Sequence, residues 1–484
     1  MSNDIQKELL KLAQLAGISR DEGIRAAIEM LPVIPNEKVR AERAQRIMSH
    51  VSRMAAFAVA NGAENHPFLP QPEPEQIPPG DIVIGYLHSY DGSAPVPVSI
   101  PFQAMTVHTL FAGPTGRGKS MLTFRVIQQL LARGIPVWIF DTKGEYADIL
   151  PPLFPRIDVI RFADMKRNPF HGPSGMPCDA WLEHMAGYLR EAFFYRDGVI
   201  NLFRETCARV ISDGRDLNAA TFAEDFPLRV PNVRRLADYY ESLKRMVNTL
   251  KLEPYRCATG FDLEALSRRP VVFDLSDISS DHCLFFVADL LTWQDASRTY
   301  RRQRGLELVI VMDELSRFYC KEATGRNDLG EPFILQMLRM SRAKGIGMIL
   351  ADQTYARFHD VIRSCCLTKL VLETGDGPSR FQIARDFDLD QEQQSFLGRM
   401  SYGSVNRRVL AKLDTYPDPM LLLVPQIEKP VEPTVYRKPD LEWKPLPEKP
   451  EAGPRAERDQ ISHDMEMYLG LIANNWTMSE TQHD

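Results

Sequence analysis

The stretch Val107–Leu131, VHTLFAGPTGRGKSMLTFRVIQQLL, decides the fold of this chain. Apolar residues lead into Gly113-Pro114-Thr115-Gly116-Arg117-Gly118-Lys119-Ser120, which fits the G-x-x-x-x-G-K-[ST] pattern of a phosphate-binding loop. An apolar-periodic helix follows at once through Met121. The glycines let successive backbone N–H groups turn inward around phosphates, and a helix starting near Ser120 points the positive end of its dipole at them. Lys119 is placed to reach the β- and γ-phosphates, and the Ser120 hydroxyl to ligate Mg²⁺. Residues Gly113 to Met121 are therefore the expected nucleotide-binding set.

Outward from this loop, short apolar runs alternate with helical periodicity. Pro136–Asp141, Ile157–Phe162, Pro270–Asp274, Leu306–Met312, Ile346–Gln353 and Thr368–Thr374 read as buried strands, with two late strands near Arg407–Lys412 and Met420–Val424. Such alternation implies a parallel sheet covered on both faces. Open parallel sheets bind ligands at the C-terminal ends of their strands, so residues that end these strands are the candidates for chemistry. Leu306–Met312 delivers Asp313 and Glu314 there: Asp313 suits the Mg²⁺ shell, and Glu314 suits a base or orienting group for attacking water. Gln353 ends a further strand on that edge, where an amide senses the γ-phosphate or positions water. Asp141, Lys143 and Glu145 also fall there. Arg342, in LRMSRAKGIG, is a candidate cation for the γ-phosphate of an adjacent subunit.

The bulk numbers describe an ordinary globular protein. A net charge of −6 gives no global argument for nucleic acid, although a pore lined by a few basic loops needs none. Arg298–Arg304 (RTYRRQR), the loop Lys321–Gly330 and Arg339–Lys344 are the candidates for such a lining. Seven cysteines without a C-x-x-C pair suggest reduced thiols and not a disulfide framework or zinc site. No apolar run approaches the roughly 18 residues of a spanning helix. A soluble, cytoplasmic protein is expected.

Residues 1–65 read as a helical module: Ile5, Leu9, Leu12, Ala13 and Ala16 keep helical spacing. Residues 66–80, HPFLPQPEPEQIPPG, read as a proline-rich extended linker. Residues 81–177 begin with a hairpin turning at Tyr90-Asp91-Gly92-Ser93 and hold the first part of the core; 178–267 read as an all-helical insertion; 268–425 complete the core. Residues 426–484 read as an extended, proline-rich tail with a short amphipathic helix at Ser462–Trp476.

His108 before the loop, GPTGRGKS, IFDTKGEY, VIVMDE and SRAKGIGMILADQ occur in that order, and FLGRMSYGS precedes a return strand. Together they resemble the HerA/FtsK superfamily of ring ATPases, nearer to HerA and the type IV secretion coupling proteins than to FtsK, over about Val98–Val424. The resemblance implies a RecA-like P-loop core and a homo-hexamer around a central pore. By position it implies that Lys119 and Ser120 bind ATP and Mg²⁺, that Asp313 and Glu314 form the acidic pair, that Gln353 is the sensing glutamine and Arg342 the arginine finger. Three functions fit: a translocase or helicase pumping duplex DNA for a nuclease or other effector, as in DNA processing or antiviral defence; a secretion-type coupling motor; or an ATP-dependent ring scaffold that activates a partner enzyme.

Overall fold

A computed structural model describes residues 2–19, 21–60, 66–87, 95–193, 195–226, 234–298, 305–318, 333–400, 406–425 and 440–446 of the 484-residue chain. The strands are β1 Ile82–Leu87, β2 Val96–Ile100, β3 Thr109–Ala112, β4 Val137–Asp141, β5 Asp158–Arg161, β6 Cys257–Thr259, β7 Val271–Asp274, β8 Leu308–Met312, β9 Ile346–Asp352, β10 Thr368–Val371, β11 Asn406–Leu413, β12 Tyr416–Pro425 and β13 Lys444–Pro445. All but β6 and β13 join one 11-stranded sheet in the order β2-β1-β12-β11-β10-β3-β9-β8-β4-β7-β5. From β10 to β5 neighbours run parallel. From β10 outward to β2 they run antiparallel. The phosphate-loop strand β3 lies between β10 and β9, inside the parallel half.

Both faces of this half are dry because side chains alternate across a strand and both sets are apolar. On β3, Leu110 and Ala112 enter one core and Phe111 the other; on β4, Trp138 and Phe140 oppose Val137 and Ile139. The first three helices, α1 Ser2–Leu15, α2 Glu22–Glu29 and α3 Glu37–Ala60, close a separate small core around Leu9, Ala13, Ile28 and Val51. A short α4, Phe102–Met105, leads into β3. Helices α5 Lys119–Ala132 and α6 Glu145–Leu153 cover the Phe111 face with Leu122, Ile127, Tyr146 and Leu150. The opposite face is covered by α7 Cys178–Phe193, α8 Asp197–Ser212, α9 Ala219–Asp225, α10 Arg234–Leu250, α11 Leu263–Leu266, α12 Ser280–Arg298 and α13 Phe333–Met340.

Two stretches differ from their sequence reading. The segment 178–267, expected to be wholly helical, contains β6, which pairs antiparallel with β13 from the tail, Lys444 opposite Thr259. Strands of two and three residues carry no measurable period, and their hydrogen bonds come from a partner far along the chain. Residues 66–80, expected as an extended spacer, are packed: Phe68 is buried with its ring 5.9 Å from Phe396, and Gln71 N–H donates to the Gln14 side chain at 2.6 Å. The tail residue Leu441 packs against the large core, and Lys166 Nζ lies 4.9 Å from the Trp443 ring centroid. The turn at Tyr90–Ser93, residues 299–304, the loop Lys321–Gly330 and the helix expected at Ser462–Trp476 lie outside the described residues. Among the described residues, no helix is long and apolar enough to cross a membrane.

The segment after β5 is tied to α12 by an ion pair inside the large core. Arg167 donates from Nε to Asp289 Oδ2 at 2.7 Å and from Nη2 to Oδ1 at 2.8 Å, and its Nη1 donates to the Asn168 and His171 carbonyls at 2.7 and 2.8 Å. Asp289 is fully buried. Removing one partner of such a pair strands a charge away from water. Arg167→Ala is expected to destabilise the chain by about 3–5 kcal/mol, read as a lowered unfolding midpoint in denaturant; an unchanged midpoint refutes this role.

Candidate nucleotide site

The phosphate loop turns where its glycines permit. Gly118 has φ 101°, and a Cβ built on it would lie 3.2 Å from Arg407 Cγ, so backbone conformation and space both select glycine there. Gly113 donates its N–H to the Asp352 carbonyl at 3.1 Å, which fixes the start of the loop to the end of β9. Helix α5 begins at Lys119, presenting its first N–H groups to the loop. Pro114, Thr115, Gly116, Lys119, Ser120 and Met121 line a cavity of about 210 Å³. Arg407, Val409, Val424 and Pro425 from β11 and β12 form its other wall. Arg117 pairs with Glu373, beyond β10, at 3.3 Å.

The neighbouring strand ends converge on Lys119. Its Nζ donates to Asp313 Oδ1, and both residues are buried. The same Oδ1 accepts the Glu314 N–H at 3.0 Å, and Tyr146 OH lies 3.4 Å from Oδ2. Glu314 Oε1 accepts from Lys143 Nζ and from Gln353 Nε2, both at 2.5 Å. Burial raises the Glu314 carboxyl, but the bonds from Lys143 and Gln353 outweigh it and hold the group below the usual carboxylate range. Glu314 also sits at φ 57°, ψ 58°, a left-handed conformation that a side chain adopts only when its surroundings hold it there. Those surroundings are hydrogen bonds between loops: Arg317 Nη1 donates to the Thr142 carbonyl at 2.9 Å and Ser316 N–H to Asp352 Oδ2 at 2.8 Å.

Asp141 organises the turn that carries Lys143. Its carboxylate accepts N–H bonds from Lys143, Gly144, Tyr146 and Ala147 at 2.8 to 3.1 Å. Burial pushes its carboxyl up to about 6 against the pull of those N–H groups. The structure therefore brings Lys119, Asp313, Glu314, Gln353 and Lys143 together. It keeps Arg342 apart. That residue is exposed in a 3-10 turn, Ser341–Lys344, before β9, whereas Gln353 follows the far end of the strand. The 7 residues of β9 separate the two edges, about 23 Å at 3.3 Å per residue. An arginine side chain does not span that within one chain. Arg407 and Glu373 join the site unforeseen, and no local pattern marks them, since antiparallel and parallel pairing across β10 and β11 alone carries them to residues 117 and 118.

The family DUF87, described as the helicase HerA central domain, matches residues 82–171, the span from β1 through the loop to just beyond β5. No curated protein matches the chain in sequence. Among solved structures, the bacterial conjugative coupling protein TrwB, as TrwBdeltaN70, has a TM-score of 0.54 at 11% identity, covering 69% of this chain and 87% of that one. VirB4 of Thermoanaerobacter pseudethanolicus has a TM-score of 0.54 at 15% identity, covering 74% and 99%. TrwB in complex with the non-hydrolysable ATP analogue ADPNP has a TM-score of 0.50 at 13% identity, covering 76% and 93%. Fold and loop together define a P-loop ATPase with a RecA-like core, and residues 82–171 match the HerA central-domain family.

Two substitutions separate binding from chemistry. Lys119→Ala is expected to abolish ATP binding or turnover while circular dichroism stays that of the parent; undiminished turnover in the folded variant refutes the site. Glu314→Gln preserves shape but removes the basic oxygen, so turnover is expected to fall by about 10² to 10⁴ with ATP affinity retained. An affinity that collapses while residual turnover stays high would assign Glu314 a binding role instead.

Proposed function

We propose that this chain is the subunit of a cytoplasmic homo-hexameric motor that hydrolyses ATP with Mg²⁺ and translocates double-stranded DNA, serving a nuclease or other effector in DNA processing or antiviral defence. One observation carries the reading: a single chain holds the phosphate loop, acidic pair and sensing amide at one sheet edge, while an exposed arginine stands at the opposite edge. A heterologous contact that closes into a ring sets one subunit's edge against the next subunit's nucleotide. The HerA helicase description of residues 82–171 and the TrwB coupling-protein fold support DNA as substrate, and the TrwB complex with ADPNP supports ATP.

Ser120 Oγ and the Asp313 carboxylate are hard oxygen donors of the kind Mg²⁺ takes, and Asp313 Oδ2 has a long contact, 3.4 Å, to Tyr146 OH. Mg²⁺ bound by these two residues would supply charge neutralisation at the phosphate oxygens. Lys119, released from Asp313, contacts those phosphates. Glu314, kept ionised, accepts the proton of the water that attacks the γ-phosphorus, and Gln353 orients that water. Arg342 of a neighbouring copy stabilises the charge that spreads over the transferring oxygens.

Two measurements test the proposal. Turnover by protein of measured hexameric mass is expected to rise with linear duplex DNA, and DNA binding to weaken steeply with added salt as phosphate counterions are released. A hexamer whose turnover ignores DNA, and which binds none at low salt, favours the scaffold reading. Arg342→Ala is expected to lower turnover by about 10³ to 10⁵ with little loss of ATP affinity. Mixed rings of Arg342→Ala and Lys119→Ala subunits should then regain partial hydrolysis, because some contacts pair an intact Lys119 with an intact Arg342. Subunit exchange without any recovery refutes action across the contact.

A further inference from the structure

The turn that presents Arg342 is held from both ends. At its far end Lys344 Nζ donates to Asp295 Oδ1 on α12 at 2.5 Å. Gly345, at φ 67°, closes the turn, and its carbonyl accepts the Glu307 N–H at 2.8 Å. At its near end stands His108, which precedes β3 and is 1% exposed. Its Nε2 lies 2.9 Å from the Leu338 carbonyl oxygen and 3.0 Å from Ser341 Oγ, across more than 200 residues of chain, the separations being 230 and 233. A carbonyl oxygen only accepts, so Nε2 carries the proton and Nδ1 is bare. Burial holds the ring neutral by lowering its pKa to about 4. His108 occupies φ 59°, a backbone region that non-glycine residues rarely enter. Nδ1 has no hydrogen-bond partner among the described residues. A left-handed backbone and an unsatisfied buried nitrogen are both unfavourable. The imidazole's one satisfied function is to grip the junction between α13 and the arginine turn.

We propose that His108 is the positioning residue for Arg342: its Nε2–H, bonded to Leu338 and Ser341, fixes the turn from which that arginine reaches the neighbouring subunit. The proposal rests on the reading of Arg342 as a trans-acting group. It also places the grip on the strand whose other end is the phosphate loop, since only Thr109–Ala112 separates His108 from Gly113.

The test uses assembled full-length rings. His108→Asn keeps a residue tolerant of the left-handed backbone but too short to reach Leu338, whereas His108→Gln returns an amide N–H at nearly the reach of Nε2. Ser341→Ala loosens the same junction without touching β3. Amide hydrogen exchange in residues 338–345 is expected to accelerate in His108→Asn and Ser341→Ala and to stay at the parent rate in His108→Gln. Turnover in His108→Asn should fall between about tenfold and a hundredfold with KM for ATP unchanged, recover in His108→Gln, and fall no further when Asn is added to Arg342→Ala. Unaltered exchange in both loosened variants overturns the proposal, as does a raised KM or an additive loss in the Arg342→Ala background. Full turnover in Arg342→Ala alone overturns the finger reading, and exchange then still decides whether His108 holds the turn.

Discussion

Two lysines and two carboxylates meet at the C-terminal edge of the parallel sheet, in a space where Lys119 and Asp313 retain 5% and 3% of their exposure. Charges so far from water are tolerable only when paired, and breaking one pair leaves the other partner stranded. The pairs therefore bind four loops into one unit: those after β3, β4, β8 and β9. The strand order β3-β9-β8-β4 makes this possible, because each of these strands delivers its polar end within reach of the next. Glu314 shows what the unit holds in place. Its left-handed backbone is sustained by the bonds of Ser316 to Asp352 and of Arg317 to Thr142, while Lys143 and Gln353 from the neighbouring loops keep its carboxylate ionised.

A parallel sheet has two chemically different edges, and this chain places polar groups at both. The C-terminal edge gathers carboxylates, amide and phosphate loop. The N-terminal edge carries the Arg342 turn, braced by His108 before β3 and by Asp295 on α12. Because strands are stiff, the two edges stay a fixed distance apart within a subunit. On the proposed reading, chemistry that needs both is directed to a contact between subunits.

The additions around the core serve its faces. A strand buried on both sides requires helices above and below, and α5 to α13 supply them through Phe111 and Leu122 on one side and Trp138 and Phe286 on the other. The proline-rich segment after α3 follows the same demand: Phe68 is drawn into the large core against Phe396, since proline limits backbone conformation without preventing an apolar neighbour from being buried. The tail returns for a related reason, with β13 satisfying the open edge of β6.

What the sequence alone determined were the features written in contiguous residues. Gly113 to Ser120 define their own loop, because turn, dipole and lysine lie within one short span. The apolar runs ending in Asp141, Asp313 and Gln353 revealed strands and their chemically active ends, because strand period and burial are local properties of composition. The packing of residues 66–80 was not visible, nor was β6, because both depend on surfaces supplied elsewhere. Only the tertiary structure decided that Arg407 lies over Gly118, that Lys143 rather than a solvent shell neutralises Glu314, and that His108 grips the turn of Arg342. Each of these contacts joins residues separated by more than 150 positions, and the physical reason is common to all: side-chain pairing across a sheet is set by strand order and register, which the pattern within any one strand does not contain.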